Sequence, residues 1–190
     1  MKVDSLFYLV FSLLGLLGCN PERVQYTDAL KQEMANKKIK RISDGQVVET
    51  VDVWGRQIAD IAQQELTAGL AKGGNTAALC RLENLPKTAA LAQRYGIQIS
   101  LLGAADVKNP QLAQKEREVL DAYLYNAEKN LPQSENVQKV ADTLFVYNTA
   151  VPTDNPICRA CFGSQPQPLA IWRLAFPKRE VVRRMQVKKK

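Results

Sequence analysis

Apolar residues recur at Val47, Val51, Trp54, Ile58 and Ile61 in steps of four and three, with Leu66 further on and Asp, Gln and Glu between them. That spacing predicts a long amphipathic helix with one buried stripe. Gly73 and Gly74 close it, since glycine takes the left-handed conformation of a helix C-cap without strain. A polar, Lys-rich helical stretch precedes it at 28–42, capped by Asp28 or Thr27 and broken by Ser-Asp-Gly at 43–45. Asn75 or Thr76 can cap a third helix, which runs to Leu85 before Pro86 restarts it toward Gly96.

Residues 97–103 alternate well enough for a strand. Pro110 biases Asn109 toward an extended conformation, and a helix follows at about 112–130 with Leu112, Val119, Tyr123 and Leu124 on one face. The β-branched and aromatic runs at 142–151 and 169–176 read as two strands. Between them, Gly163, Pro166 and Pro168 oppose a helix, so Asn-Pro-Ile-Cys-Arg-Ala-Cys-Phe-Gly at 155–163 is expected in a loop. Helices first and antiparallel strands afterwards predict an α+β domain.

The first twenty residues belong to a different problem. An apolar run from Leu6 to Leu17 ends in Leu-Leu-Gly-Cys, the pattern cut by the bacterial lipoprotein signal peptidase, which leaves a lipid on Cys19. A spanning helix or an ordinary signal peptide is the alternative, but the run falls short of the roughly 20 apolar residues that cross a bilayer. The expected organisation is a signal peptide at 1–18, a tether at 19–27, a domain at 28–177 and a basic tail at 178–190. Such a chain sits in the cell envelope as a membrane-anchored lipoprotein facing the periplasm or exterior, in oxidising surroundings.

Composition narrows the chemistry. The net charge is +7, yet the tail alone holds seven Lys or Arg against Glu180 and the rest of the mature chain is nearly balanced. A solvated end, or one resting on anionic lipid or an acidic partner, explains this better than a nucleic-acid groove. There is no histidine in the 190 residues, which removes a Ser-His-Asp set and thins out zinc sites. Glu116 and Glu118 stand among lysines on a helix and read as solvated surface. Nothing points to an enzyme.

With Cys19 assigned to lipid, Cys80, Cys158 and Cys161 remain, an odd set for an oxidising compartment. Cys158 and Cys161 have the spacing that attaches a c-type haem, with Cys80 as a thiolate for the iron. A disulfide between two of the three, leaving one buried thiol, is the second arrangement. A catalytic dithiol is the third, disfavoured without a helix to lower a thiol pKa. Phe162 stands where haem attachment needs histidine, and it has no lone pair to offer iron.

From Cys80 to Trp172 the chain resembles the bacterial c-type-haem PAS-like sensor domains, a family long filed as a domain of unknown function. The resemblance rests on Ala-Ala-Leu-Cys at 77–80, a Gly-led strand with an Asn-Pro turn and acidic helix at 96–120, and a Tyr-to-CxxC segment at 147–163. It implies a PAS-like antiparallel sheet flanked by helices, with Cys158 and Cys161 as the haem-attaching pair and Cys80 as a candidate axial ligand. Phe162 in place of the histidine, and a turn lacking arginines for the propionates, imply a member that has lost its haem. Phe162 would then fill part of the porphyrin space, a burial worth roughly 1.5 to 3 kcal/mol. Cys158 and Cys161 would close a small disulfide, or one of them would reach Cys80. The expected function is ligand or partner binding, by a small apolar molecule, another protein or a second copy of the chain. The alternative is a c-type haem redox sensor or electron carrier.

Overall fold

The computed structural model describes residues 27–28 and 42–187. The expected signal peptide, Cys19, nearly all of the tether and nearly all of the 28–42 helix lie outside the described residues. Numbered in order, the described elements are α1 (Asp44–Ala71), α2 (Thr76–Cys80), α3 (Pro86–Tyr95), β1 (Gln98–Leu102), a 3-10 turn (Ala104–Lys108), α4 (Gln114–Glu128), β2 (Asn136–Ala141), β3 (Leu144–Ala150), α5 (Pro156–Phe162), β4 (Ile171–Pro177) and α6 (Lys178–Val187). The strands form one antiparallel sheet in the order β1-β4-β3-β2, so the chain is α+β as the pattern predicts. Among the described residues, no helix is long and apolar enough to cross a membrane.

Helix α1 begins earlier than its apolar stripe requires. Ser43 caps it: its hydroxyl accepts from the Gln46 N–H at 3.3 Å, and the Gln46 carbonyl oxygen accepts from the Ser43 N–H at 3.1 Å. This reciprocal arrangement satisfies two otherwise orphaned donors, so Ser-Asp-Gly starts a helix as well as ending a stretch. The buried stripe runs through Val47, Val51, Trp54, Ile58, Ala62 and Leu66. Ile61, expected in it, is 38% exposed. The four-residue steps from Ile58 to Leu66 pass instead through the buried Ala62.

The stripe lies on Phe145 and Tyr147 of β3 and Trp172, Leu174 and Phe176 of β4, all fully buried. Alternate residues point to the other face, where Leu120, Tyr123 and Ala127 of α4 pack on Leu102, Leu169 and Ile171. Arg173 also emerges there, with Nε and Nη2 each 2.7 Å from Oε1 of Glu116. Oε2 of the same carboxylate accepts from the Ala113 N–H at 3.1 Å, at the start of α4. Glu116 is thus buried and doubly engaged, not the solvated charge the sequence suggests. Removing one partner of such a buried pair costs about 3 to 5 kcal/mol.

Two segments depart from expectation. Strand β2 pairs with β3 across a two-residue turn and forms one edge of the sheet, where the sequence pattern shows no strand. The described part of the basic tail, 178–187, is a helix, α6, whose Val181 is buried in the main core and whose Val182 and Met185 pack against it. The domain therefore extends past 177, because three apolar residues in α6 have a core to reach.

Gly55 is where α1 comes closest to the sheet. A Cβ there would lie 2.3 Å from the Tyr147 ring. The Tyr147 phenol is pushed up to about 12, chiefly by burial. Gly55→Ala is expected to lower stability by about 1 to 3 kcal/mol. Gly45→Ala, whose nearest neighbour is the Ser43 hydroxyl at 3.8 Å, should be neutral or slightly stabilising. Urea unfolding of the two variants checks this, and matching midpoints would contradict the packing described.

Candidate functional site

The cysteines sit on two short helices. Asn155 caps α5 by accepting from the Ile157 N–H at 3.0 Å, and Pro156 occupies the first turn, where a missing N–H removes no helical bond. The expected loop at 155–163 is therefore a helix up to Phe162. It ends at Gly163, whose N–H still donates to the Arg159 carbonyl at 3.0 Å and where a Cβ would lie 2.3 Å from that oxygen. The glycine and prolines after Phe162 end the helix without preventing it. Helix α2 is shorter than expected, ending at Cys80 rather than Leu85, because Leu82 and Asn84 adopt positive φ of 62° and 60°.

Cys80, the last residue of α2, forms a disulfide with Cys161 in the last turn of α5, with Cα atoms 5.5 Å apart. The bond closes a loop across a separation of 81 residues. Restricting the unfolded chain in this way contributes roughly 4 kcal/mol in the chain-entropy account. Cys158 is the free thiol, 1% exposed. Its Sγ lies 3.5 Å from the Pro152 carbonyl oxygen and 3.9 Å from that of Val151, acceptors for a weak S–H donor. Burial pushes the thiol up from its ordinary value, with the Asp154 carboxylate adding to the shift. The buried thiol is thus Cys158 and not Cys80.

Phe162 is half-buried against the core. A Cβ on Gly103 would lie 2.4 Å from its ring, so the ring rests on the bare backbone just after β1. The segment after α5 continues over the same place, where the Ala105 N–H donates to the Gln165 side chain at 3.3 Å. Phe162, Cys80, Cys158 and Cys161 line neither of two clefts that open elsewhere on the domain.

The larger cleft, of about 400 Å³, opens between the end of α4 and the loop after β3. Ala127, Leu131, Ala150, Val151 and Leu169 give it an apolar lining, and Asn130, Gln133, Thr153 and Asp154 supply polar groups. Val151 and Pro152 belong to its wall, and their carbonyls are the ones facing the Cys158 sulfur. A smaller cleft of about 150 Å³ lies by Tyr123, Ser134 and Asn136. Burial raises the Tyr123 phenol, whose O–H lies 2.6 Å from the Ser134 carbonyl oxygen. The larger cleft is not visible in the sequence, because its wall joins the end of α4, the loop after β3 and Leu169, which are distant along the chain.

Chemically, covalent haem requires Cys158 and Cys161 as free thiols and a separate donor for iron. Here Cys161 and Cys80 have spent their sulfurs on each other and Cys158 faces backbone carbonyls. So arranged, these residues do not fit that group. Cys158 and Cys161 are not bonded to each other, since Cys161 pairs with Cys80, and burial raises the free thiol rather than lowering it. Among known proteins, no family model, curated protein or solved structure matches the chain.

Cys158 should resist alkylation by iodoacetamide in the folded protein at neutral pH, since the thiolate is the nucleophile and burial disfavours it. Labelling should rise above the ordinary thiol range of pH, and at once in denaturant. Mass spectrometry after a timed quench reads this. Rapid labelling of the native protein at neutral pH would mean the thiol is exposed.

Proposed function

We propose that this chain is a lipid-anchored protein of the cell envelope whose PAS-like domain binds a small ligand or a partner and carries no covalent haem. The carrying observation is the disulfide between Cys80 and Cys161, which removes one haem-attaching sulfur and the candidate axial ligand together. The Phe162 ring on Gly103 supports the same reading, because an aromatic side chain stands where the related domains have their histidine. The antiparallel sheet with helices on both faces and a long leading helix agrees with a PAS-like architecture. The cleft of about 400 Å³ is the place for a ligand of modest size, with an apolar body against Ala127 and Leu169 and a polar end toward Gln133 or Asp154.

Catalysis is not part of this reading. The free thiol is protonated and enclosed, and the chain has no histidine for acid–base work near neutral pH. The protein acts by being occupied or by being bound.

The protein purified from its own host, made beside its cytochrome maturation machinery, is expected to show no Soret band after acid–acetone extraction. A surviving band would favour the c-type haem redox sensor instead. Phe162→His made in the same strain extends the test: haem uptake by that variant alone would reveal a chamber persisting under the ring.

A further inference from the structure

The segment 178–190, most of it in helix α6, carries a large net positive charge. Lys178, Arg179, Arg183 and Arg184 stand on it, three lysines follow at 188–190, and Glu180 is the single acid, which leaves +6. Its orientation is fixed from the inside. Val181 is buried, Met185 Sδ lies 3.5 Å from the Thr50 hydroxyl of α1, and Lys178 Nζ reaches Asp44 at 2.6 Å. The opposite side presents Arg179, Arg183 and Gln186, three or four residues apart and exposed. The Arg179 side chain is 92% exposed, and among the described residues Glu180 is the acid that pairs with it and with Arg183.

The basic surface is wider than the helix. The guanidinium of Arg94, at the end of α3, lies 5.9 Å from the centre of the Tyr95 ring, and that of Arg184 lies 5.4 Å from the same centre. Tyr95 thus gathers a cation from each of two elements, one of them α6.

We propose that this basic face of α6, broadened by Arg94, docks on an anionic lipid surface. A protein interface is built around an apolar or aromatic anchor ringed by polar groups. The outward residues described on α6 include none, being two arginines and a glutamine. A fluid layer of anionic headgroups needs only positive charge within reach, each Lys or Arg strengthening attachment about fivefold. The nearness of a membrane rests on the reading of Cys19 as a lipid anchor. The charge argument does not.

The test uses the full chain with Cys19→Ser, so that acylation does not mask the weaker contact, and measures co-sedimentation with vesicles. Phosphatidylcholine vesicles are compared with vesicles that also contain phosphatidylglycerol. The apolar run at 6–17 contributes to both vesicles alike and the basic residues before 42 contribute equally to both proteins, so the decisive readout is the change caused by the double variant. Stronger binding to the anionic vesicles, abolished at high salt and weakened about 30-fold by Arg179→Gln with Arg183→Gln, is expected. Equal binding to the two vesicles, or an anionic preference kept by the double variant, would overturn the proposal. So would retention on polyglutamate without vesicle binding, which would indicate an acidic protein partner. Mass spectrometry of the amino terminus from the native host reads the anchor separately, so the two ideas fail independently.

Discussion

The bond between Cys80 and Cys161 joins a helix of five residues to one of seven, and neither is long enough to hold its shape alone. Both lie against α1, which is itself pinned across the sheet by Val47, Trp54 and Leu66. The crosslink therefore fixes the cysteine helix onto the main core and determines what each sulfur can do. With two sulfurs paired, the third turns toward the carbonyls of Val151 and Pro152 and becomes part of the interior. The Phe162 ring, on the last turn of α5, is then held over Gly103. Every functional statement about this region follows from that one connection.

The sheet is stabilised differently on its two faces. Toward α1 the contacts are aromatic and aliphatic, and Gly55 allows the helix backbone to reach the Tyr147 ring. Toward α4 the apolar cluster is smaller, and the Arg173–Glu116 pair supplies orientation. A buried pair of this kind contributes little net stability but penalises any other register strongly. The larger cleft opens at the end of this second layer, where α4 stops and the loop after β3 begins. A ligand there would touch loops more than core, which allows binding without disturbing the sheet.

Much of the fold was legible from residue patterns, for physical reasons that also explain the rest. The period of α1 stands out because large apolar residues mark it, and the substitution of Ala62 for Ile61 was invisible because alanine carries little apolar signal. Strand β2 is an edge strand whose Asn, Gln and Lys side chains mask any alternation, so only pairing with β3 defines it. Helix α5 was obscured because Gly163, Pro166 and Pro168 read as breakers, whereas all three lie beyond its last residue, Phe162. Helix α6 was hidden by its charge, with Val181 and Met185 the few residues that betray a buried side. The cysteine pairing was undetermined, since three thiols allow three bonds and only the docking of α2 against α5 selects one.

The surface electrostatics follow the same division between ends. Asp44 is held below the usual carboxylate range by Lys178 and then by Lys139, so part of the basic charge near α1 is neutralised. The remaining excess lies along the exposed side of α6. The most direct test of the whole account is peptide mapping of the protein from its own host, with thiols blocked and no reductant. The account predicts one crosslinked pair joining the Cys80 and Cys161 peptides, with Cys158 recovered as a single blocked thiol. A Cys158–Cys161 bond, or a porphyrin mass carried on their shared peptide, would contradict it.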